Sequence, residues 1–242
     1  MNRRLYLRSI AASSVVAAAG CLNSLSSGND HRTDRGSGTE RDRADGAVLE
    51  PPKRDLSEAS HPSYGDDFPA VELPDPLNGE TVSTDQFEGE RTVLMTFFYT
   101  SCPDGVCPAL LLRLRRVQAV AAEGGYGDDA AFLAMTFDPE RDTEDALRTY
   151  AGERGVDHDA GNWHFLRPER YETAEEIVTE QFGLPLKKRD ANEHEDLEYV
   201  FPHYGYIFLV NERGLVERVY PDGATVATAR LVEDFETVVA GT

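Results

Sequence analysis

Two of the three cysteines in this 242-residue chain stand five positions apart, in Cys102-Pro103-Asp104-Gly105-Val106-Cys107-Pro108. They follow directly on the apolar run Thr92 to Tyr99. Thiols gathered at a strand-to-helix junction point to redox chemistry or to metal binding. Free N–H groups and the positive end of the dipole at a helix start lower a thiol pKa, so both cysteines are expected to be reactive or good ligands. Pro108 suits the first helical turn, where its missing N–H costs nothing. A structural disulfide is the plainer reading, but one closing so short a loop removes little entropy from the unfolded chain. Two soft thiolates select Cu(I), Zn or similar ions, and one added imidazole makes a set able to hold both Cu(I) and Cu(II). Of the six histidines, His31 and His61 fall in a polar N-terminal stretch and His158 and His194 in polar loops. His164 falls within a short strand. His203 immediately precedes the buried run Tyr206 to Val210 and is the candidate third ligand. Asp104 reads equally as a turn or cap residue and as an outer-shell group tuning a metal.

The elements that must position these residues are legible as hydrophobic periods. Leu77-Asn78-Gly79-Glu80 reads as a hairpin turn. Thr92 to Tyr99 is nearly continuous in apolar residues, as in a central strand buried on both faces. Beyond the cysteines, Leu110, Leu114, Val117 and Ala121 share one helical face, Arg113, Arg115 and Arg116 are expected in solvent, and Gly124-Gly125 ends the helix. Ala130 to Phe137 is a second buried strand. Thr143 to Arg154 is a helix with Asp142 or Thr143 as its N-cap, and Asn162 to Leu166 a third strand. Thr173-Ala174-Glu175-Glu176 reads as a capping box opening a helix through Phe182. Residues 187–198 read as an exposed loop, Tyr206 to Val210 and Leu215 to Tyr220 as a hairpin, and Leu231 to Val239 as a closing helix. This order predicts an α/β, thioredoxin-like fold: a central mixed sheet flanked by helices, with an N-terminal hairpin.

The N-terminus carries Arg3-Arg4, then Leu5-Tyr6-Leu7-Arg8, a short apolar stretch Ile10 to Ala19, and Gly20-Cys21. It reads as an export signal of the twin-arginine type over residues 1–20, with a lipobox that makes Cys21 a lipid anchor. Residues 21–67, rich in Ser, Gly, Asp, Arg and Pro, are expected to be a flexible tether, and 68–242 the folded domain. The expected location is the extracytoplasmic face of the cell membrane. With 24 basic against 44 acidic residues the formal net charge is −20. Residues 1–20 carry three arginines and no acid, so the remainder is more acidic still. Such a surface, with lysine only at positions 53, 187 and 188, excludes nucleic acid as the main partner and resembles that of proteins from high-salt organisms.

Three separated motifs then carry a family resemblance. Tyr99-Thr100-Ser101-Cys102-Pro103-Asp104 with Val106-Cys107-Pro108, Phe137-Asp138-Pro139-Glu140-Arg141-Asp142-Thr143, and His203 before Tyr206 to Asn211 resemble the Sco/SenC family. The resemblance runs from about Val71 to the C-terminus. It implies a thioredoxin-like, membrane-anchored copper protein, a metallochaperone that assists assembly of the binuclear copper centre of cytochrome c oxidase. It also implies Cys102, Cys107 and His203 as copper ligands. The expected partner is the copper-centre subunit of that oxidase or a similar exported copper enzyme. One departure stands out: the family has three residues between the cysteines and this chain has four, with Gly105 as the insertion, absorbed at positive φ. The alternative function is an extracytoplasmic thiol-disulfide oxidoreductase using Cys102 and Cys107 as a redox pair. A dithiol reductase gives no reason for His203.

Overall fold

The computed structural model describes residues 46–191, 194, 196–202 and 205–241. Its first elements are β1 (Glu72–Asp75) and β2 (Glu80–Ser83), an antiparallel hairpin with Leu73 opposite Val82. The turn between them passes through Gly79 at φ +70°, as the Asn-Gly pair predicts. The main alternation follows: β3 (Thr92–Phe98), α1 (Val106–Gly124), β4 (Ala130–Thr136), α2 (Glu144–Arg154), β5 (Trp163–Leu166) and α3 (Tyr171–Glu176). A two-residue pair, β6 (Arg189–Asp190) and β7 (Tyr199–Val200), leads to β8 (Ile207–Val210), β9 (Val216–Tyr220) and α4 (Thr228–Ala240).

The central sheet has the order β5-β4-β3-β8-β9. β3, β4 and β5 are parallel, and β8 joins β3 antiparallel with Thr96 beside Ile207. Every residue of β3 and β4 is buried, which is why these strands read as unbroken apolar runs rather than alternating ones. On one face Phe98 stacks on Tyr150 of α2, and Phe132 meets Phe235 of α4. On the other, Phe97 and Phe208 pack around Phe182, just beyond α3. Leu110, Leu114, Val117 and Ala121 of α1 are fully buried, each leucine contributing about 2 kcal/mol by removal from water. The helix ends at Gly125 in the left-handed region, φ +82°. The expected thioredoxin-like mixed sheet with helices on both faces is the one observed.

Several local expectations are corrected. The tether does not extend to residue 67, because residues 46–67 are bound to the domain. Val48 and Leu49 donate their N–H groups to the buried carboxylate of Glu217 at 2.7 and 2.9 Å. The Tyr64 hydroxyl donates to Leu49 O at 2.6 Å, and Gly65 and Phe68 donate backbone bonds to Val216 and Gly214. The polar composition of this strap hides the fact that its backbone groups find buried acceptors in β9 and the turn before it. α3 starts at Tyr171 with Arg170 as its N-cap, so Thr173 lies inside the helix and forms no capping box. Residues 187–198 contain β6 and run into β7 rather than forming open loop throughout. Arg113 is half-buried, donating Nε to Val226 O at 2.9 Å. Among the described residues no helix is long and apolar enough to cross a membrane. Cys21, the export signal and the first part of the expected tether lie outside the described residues.

Candidate functional site

Topology decides where the chemistry collects. The cysteine turn leaves the C-terminal end of β3 and the segment 138–142 leaves the C-terminal end of β4. Because β8 is antiparallel to β3, the loop entering β8 comes back to the same edge. Thr96 seals that join by donating its hydroxyl to Tyr206 O at 2.7 Å.

Cys102 and Cys107 stand as thiols, not as a disulfide. Cys107 is fully buried in the first turn of α1, while Cys102 is half-exposed. Gly105 is the residue before that helix, in the left-handed region at φ +78° with nothing within 4 Å of where a Cβ would lie. The extra residue between the cysteines is therefore accommodated by the conformation only glycine adopts cheaply, and the sulfurs meet. The Cys107 N–H donates to Cys102 Sγ at 3.4 Å and the two thiols hydrogen-bond to each other. The Tyr99 N–H donates to Cys107 Sγ at 3.4 Å. Asp104 faces the thiol and the helix start through one oxygen. Its Oδ1 accepts the Cys102 thiol at 2.9 Å and the Val106 N–H at the helix start at 3.1 Å.

The expectation that both thiols are acidified by the helix is corrected at Cys107. Burial pushes that thiol well above its ordinary value, helped by the hydrogen bond to Cys102. Desolvation of a thiolate enclosed by core side chains outweighs the helix dipole there.

His203 lies outside the described residues. Its described neighbours are packed against the cysteine turn from two sides. Phe201 is buried edge-on to Tyr99 at 5.3 Å between ring centroids and to Phe137 at 5.2 Å. Gly205 sits so close to Val106 that a Cβ on it would come within 3.1 Å of Val106 Cγ1.

The segment 138–142 does more than cap. Thr143 is the N-cap of α2, accepting from Ala146 N. Asp142 instead turns inward, fully buried. It accepts the N–H and hydroxyl of Thr100, two residues before Cys102, and the hydroxyl of Thr136. Burial lifts its carboxyl to about 6, against the lowering effect of those hydrogen bonds. Sequence reasoning missed this link and the stacking of Arg141 on Tyr199, because neither leaves a periodic signal. His164, within β5, is buried. Its Nδ1 lies 3.2 Å from Asp75 Oδ2 and 3.3 Å from Glu80 Oε1, joining the β1–β2 hairpin to β5.

A parallel strand, a cysteine-bearing turn and a helix opening on the second thiol, with an antiparallel hairpin completing the sheet, define a thioredoxin-like dithiol protein. The SCO1/SenC family model matches residues 61–240, and the chain belongs to that family. A SCO2-like protein of Rickettsia prowazekii, RP587, is 27% identical over 139 residues, 57% of this chain and 61% of its own length. The chain thus spans less than two-thirds of that relative. The structure of BsSco, named a member of the Sco family of cytochrome c oxidase assembly proteins with a disulfide switch, superposes with a TM-score of 0.57 at 20% identity, over 73% of this chain and 96% of BsSco. The copper-bound ScoI of Bradyrhizobium japonicum superposes with a TM-score of 0.54 at 20% identity, over 72% of this chain and 99% of that one. At those identities the two structures establish the fold.

Proposed function

We propose that this protein is a copper-binding assembly factor that carries copper on Cys102, Cys107 and His203. In this reading it delivers copper to the binuclear centre of a cytochrome c oxidase subunit, or to a similar exported copper enzyme, from the outer face of the membrane, anchored through Cys21. The observation that carries it is the meeting of two thiols at the start of α1, with Phe201 packed against Tyr99 and Gly205 beside Val106. The donor set fits the cargo: two soft sulfurs suit Cu(I), and an imidazole extends the site to Cu(II). Both thiols must lose protons to bind a metal ion. Asp104 Oδ1 already accepts the Cys102 proton, so it is the first acceptor on the path to solvent. The buried Cys107 thiol stays protonated until a cation offsets the cost of its charge.

One observation also favours a dithiol reductase. Cys102 is reachable and Cys107 is buried behind it, the arrangement of an attacking and a resolving thiol. Cys102 thiolate would open a partner disulfide to a mixed disulfide, and Cys107 would then displace the reduced partner, leaving a Cys102–Cys107 disulfide.

The test is copper loading of the parent and of Cys102→Ala, Cys107→Ala and His203→Ala. A one-to-one complex with thiolate-to-copper charge-transfer bands, lost or altered in all three variants, is the expected result. If His203→Ala binds copper like the parent, the copper reading falls and the reductase leads.

A further inference from the structure

We propose that Arg141 is a positioning residue of the copper site, fixing the histidine-bearing loop relative to the cysteine turn. The inference rests on the copper reading above and concerns how its two halves are held together.

Arg141 sits in the turn after β4, and its guanidinium touches both approaches to the site. Its Nη1 donates to Tyr199 O at 3.1 Å, and its carbon lies 3.9 Å from the centroid of the Tyr199 ring. On the other side it lies 5.6 Å from the centroid of the Tyr99 ring. Tyr99 is three residues before Cys102, and Tyr199 is four before His203. Arg141 Nε pairs with the buried carboxylate of Asp138, whose other oxygen accepts the Tyr199 hydroxyl at 2.9 Å. One carboxylate thereby orients both the cation and the ring beneath it. Lys188 covers Tyr199 as well, its Nζ 3.6 Å from the ring centroid and 2.7 Å from Glu140. From Tyr199 the chain continues to Phe201, buried against Tyr99 itself.

Two features favour positioning over simple stabilisation. First, Arg141 Nη2 is buried with no hydrogen-bond partner among the described residues. An enclosed, unpaired guanidinium donor costs stability, so what the contact supplies is geometry between two aromatic rings. Second, the neighbouring Asp142 grips Thr100 on the cysteine side. Adjacent residues of one turn therefore hold Thr100, ahead of the cysteines, and Tyr199, ahead of residue 203. A lysine could present one charge to this arrangement but not a flat fork that bonds Asp138 and Tyr199 O while stacking on a ring.

The experiment uses the full chain carrying Arg141→Met, Arg141→Lys, His203→Ala and the Arg141→Met/His203→Ala double variant. Thiol titration, melting temperature, Cu(II) affinity by chelator competition, and the charge-transfer and paramagnetic resonance spectra are recorded for each. We expect both Arg141 variants to keep the parent's number of titratable thiols, with Cu(II) affinity at least tenfold lower in Arg141→Met and its spectrum moved toward that of His203→Ala. The double variant should bind no more weakly than His203→Ala alone, since the arginine acts through the histidine loop. Parent-like affinity and spectrum in Arg141→Met, or additive losses in the double variant, overturn the proposal. Should Arg141→Met fail to fold, Arg141→Lys carries the test, and a parent spectrum there overturns it equally. Loss of copper in His203→Ala but not in the Arg141 variants sinks this inference alone, whereas parent-like copper binding in His203→Ala sinks the copper reading beneath it.

Discussion

Asp142 accepts the hydroxyl of Thr100 at 2.5 Å, tying the turn after β4 to the turn that carries the cysteines. The carboxylate that does so is buried, and its pKa is lifted from 3.8 to about 6. A group whose acid form is favoured by folding stabilises the native state most fully below its unfolded pKa. That stabilisation fades as pH rises through the window to the folded pKa. That rise corresponds to about 3 kcal/mol. Relative to the parent, Asp142→Asn should therefore gain stability by up to about that amount between pH ~4 and pH ~6 and then stay level. Denaturant titrations of both proteins across that range check it; a difference independent of pH would refute it.

The two thiols should differ sharply in reactivity. Cys107 is fully buried with its thiol pushed up, and Cys102 is half-exposed. Iodoacetamide at pH ~7 should modify Cys102 first and leave Cys107 unmodified until denaturant is added. Peptide mass mapping against time reads the order. Early labelling of Cys107 would show that the turn opens more freely than the packing implies.

Glu217 holds the strap. Its buried carboxylate accepts from Val48 N, Leu49 N and Asn211 Nδ2. Glu217→Ala leaves those donors without their acceptor and should destabilise the domain by roughly 2–5 kcal/mol. It should also expose residues 46–60 to limited proteolysis. Resistance of that segment in the variant would mean the strap is held by its other contacts.

Two glycines offer a matched pair. Gly105 and Gly183 both have positive φ, +78° and +61°. A Cβ on Gly105 meets nothing within 4 Å, whereas one on Gly183 would fall 1.9 Å from Ser60 O. Gly105→Ala should cost only the conformational penalty of about 1–2 kcal/mol. Gly183→Ala must also displace the strap and should cost more. Their melting temperatures, side by side, decide it.

The paired cysteines, the helix behind them and the buried strands are legible because each leaves a local mark. Continuous apolar residues mark Thr92 to Phe98, the helical period marks Leu110 to Ala121, and Gly105 marks the place where an extra residue can be absorbed. The strap at 46–67 was not legible, because its acceptors, above all Glu217, are about 170 residues distant. The raised thiol of Cys107 was missed for a related reason. Sequence shows a helix start, but burial is a property of everything packed around it, and here desolvation outweighs the dipole.

What the sequence by itself determined was the order of strands and helices and the residue types able to do chemistry, since propensity, periodicity and turn preference act over a few residues. What only the tertiary structure decided was which of those residues meet. The antiparallel return of β8 brings Gly205 to Val106 and Phe201 to Tyr99, Asp142 reaches Thr100, and Arg141 spans Tyr99 and Tyr199. Those contacts join segments far apart in the chain, and their strength depends on burial and orientation that exist only once the sheet has closed.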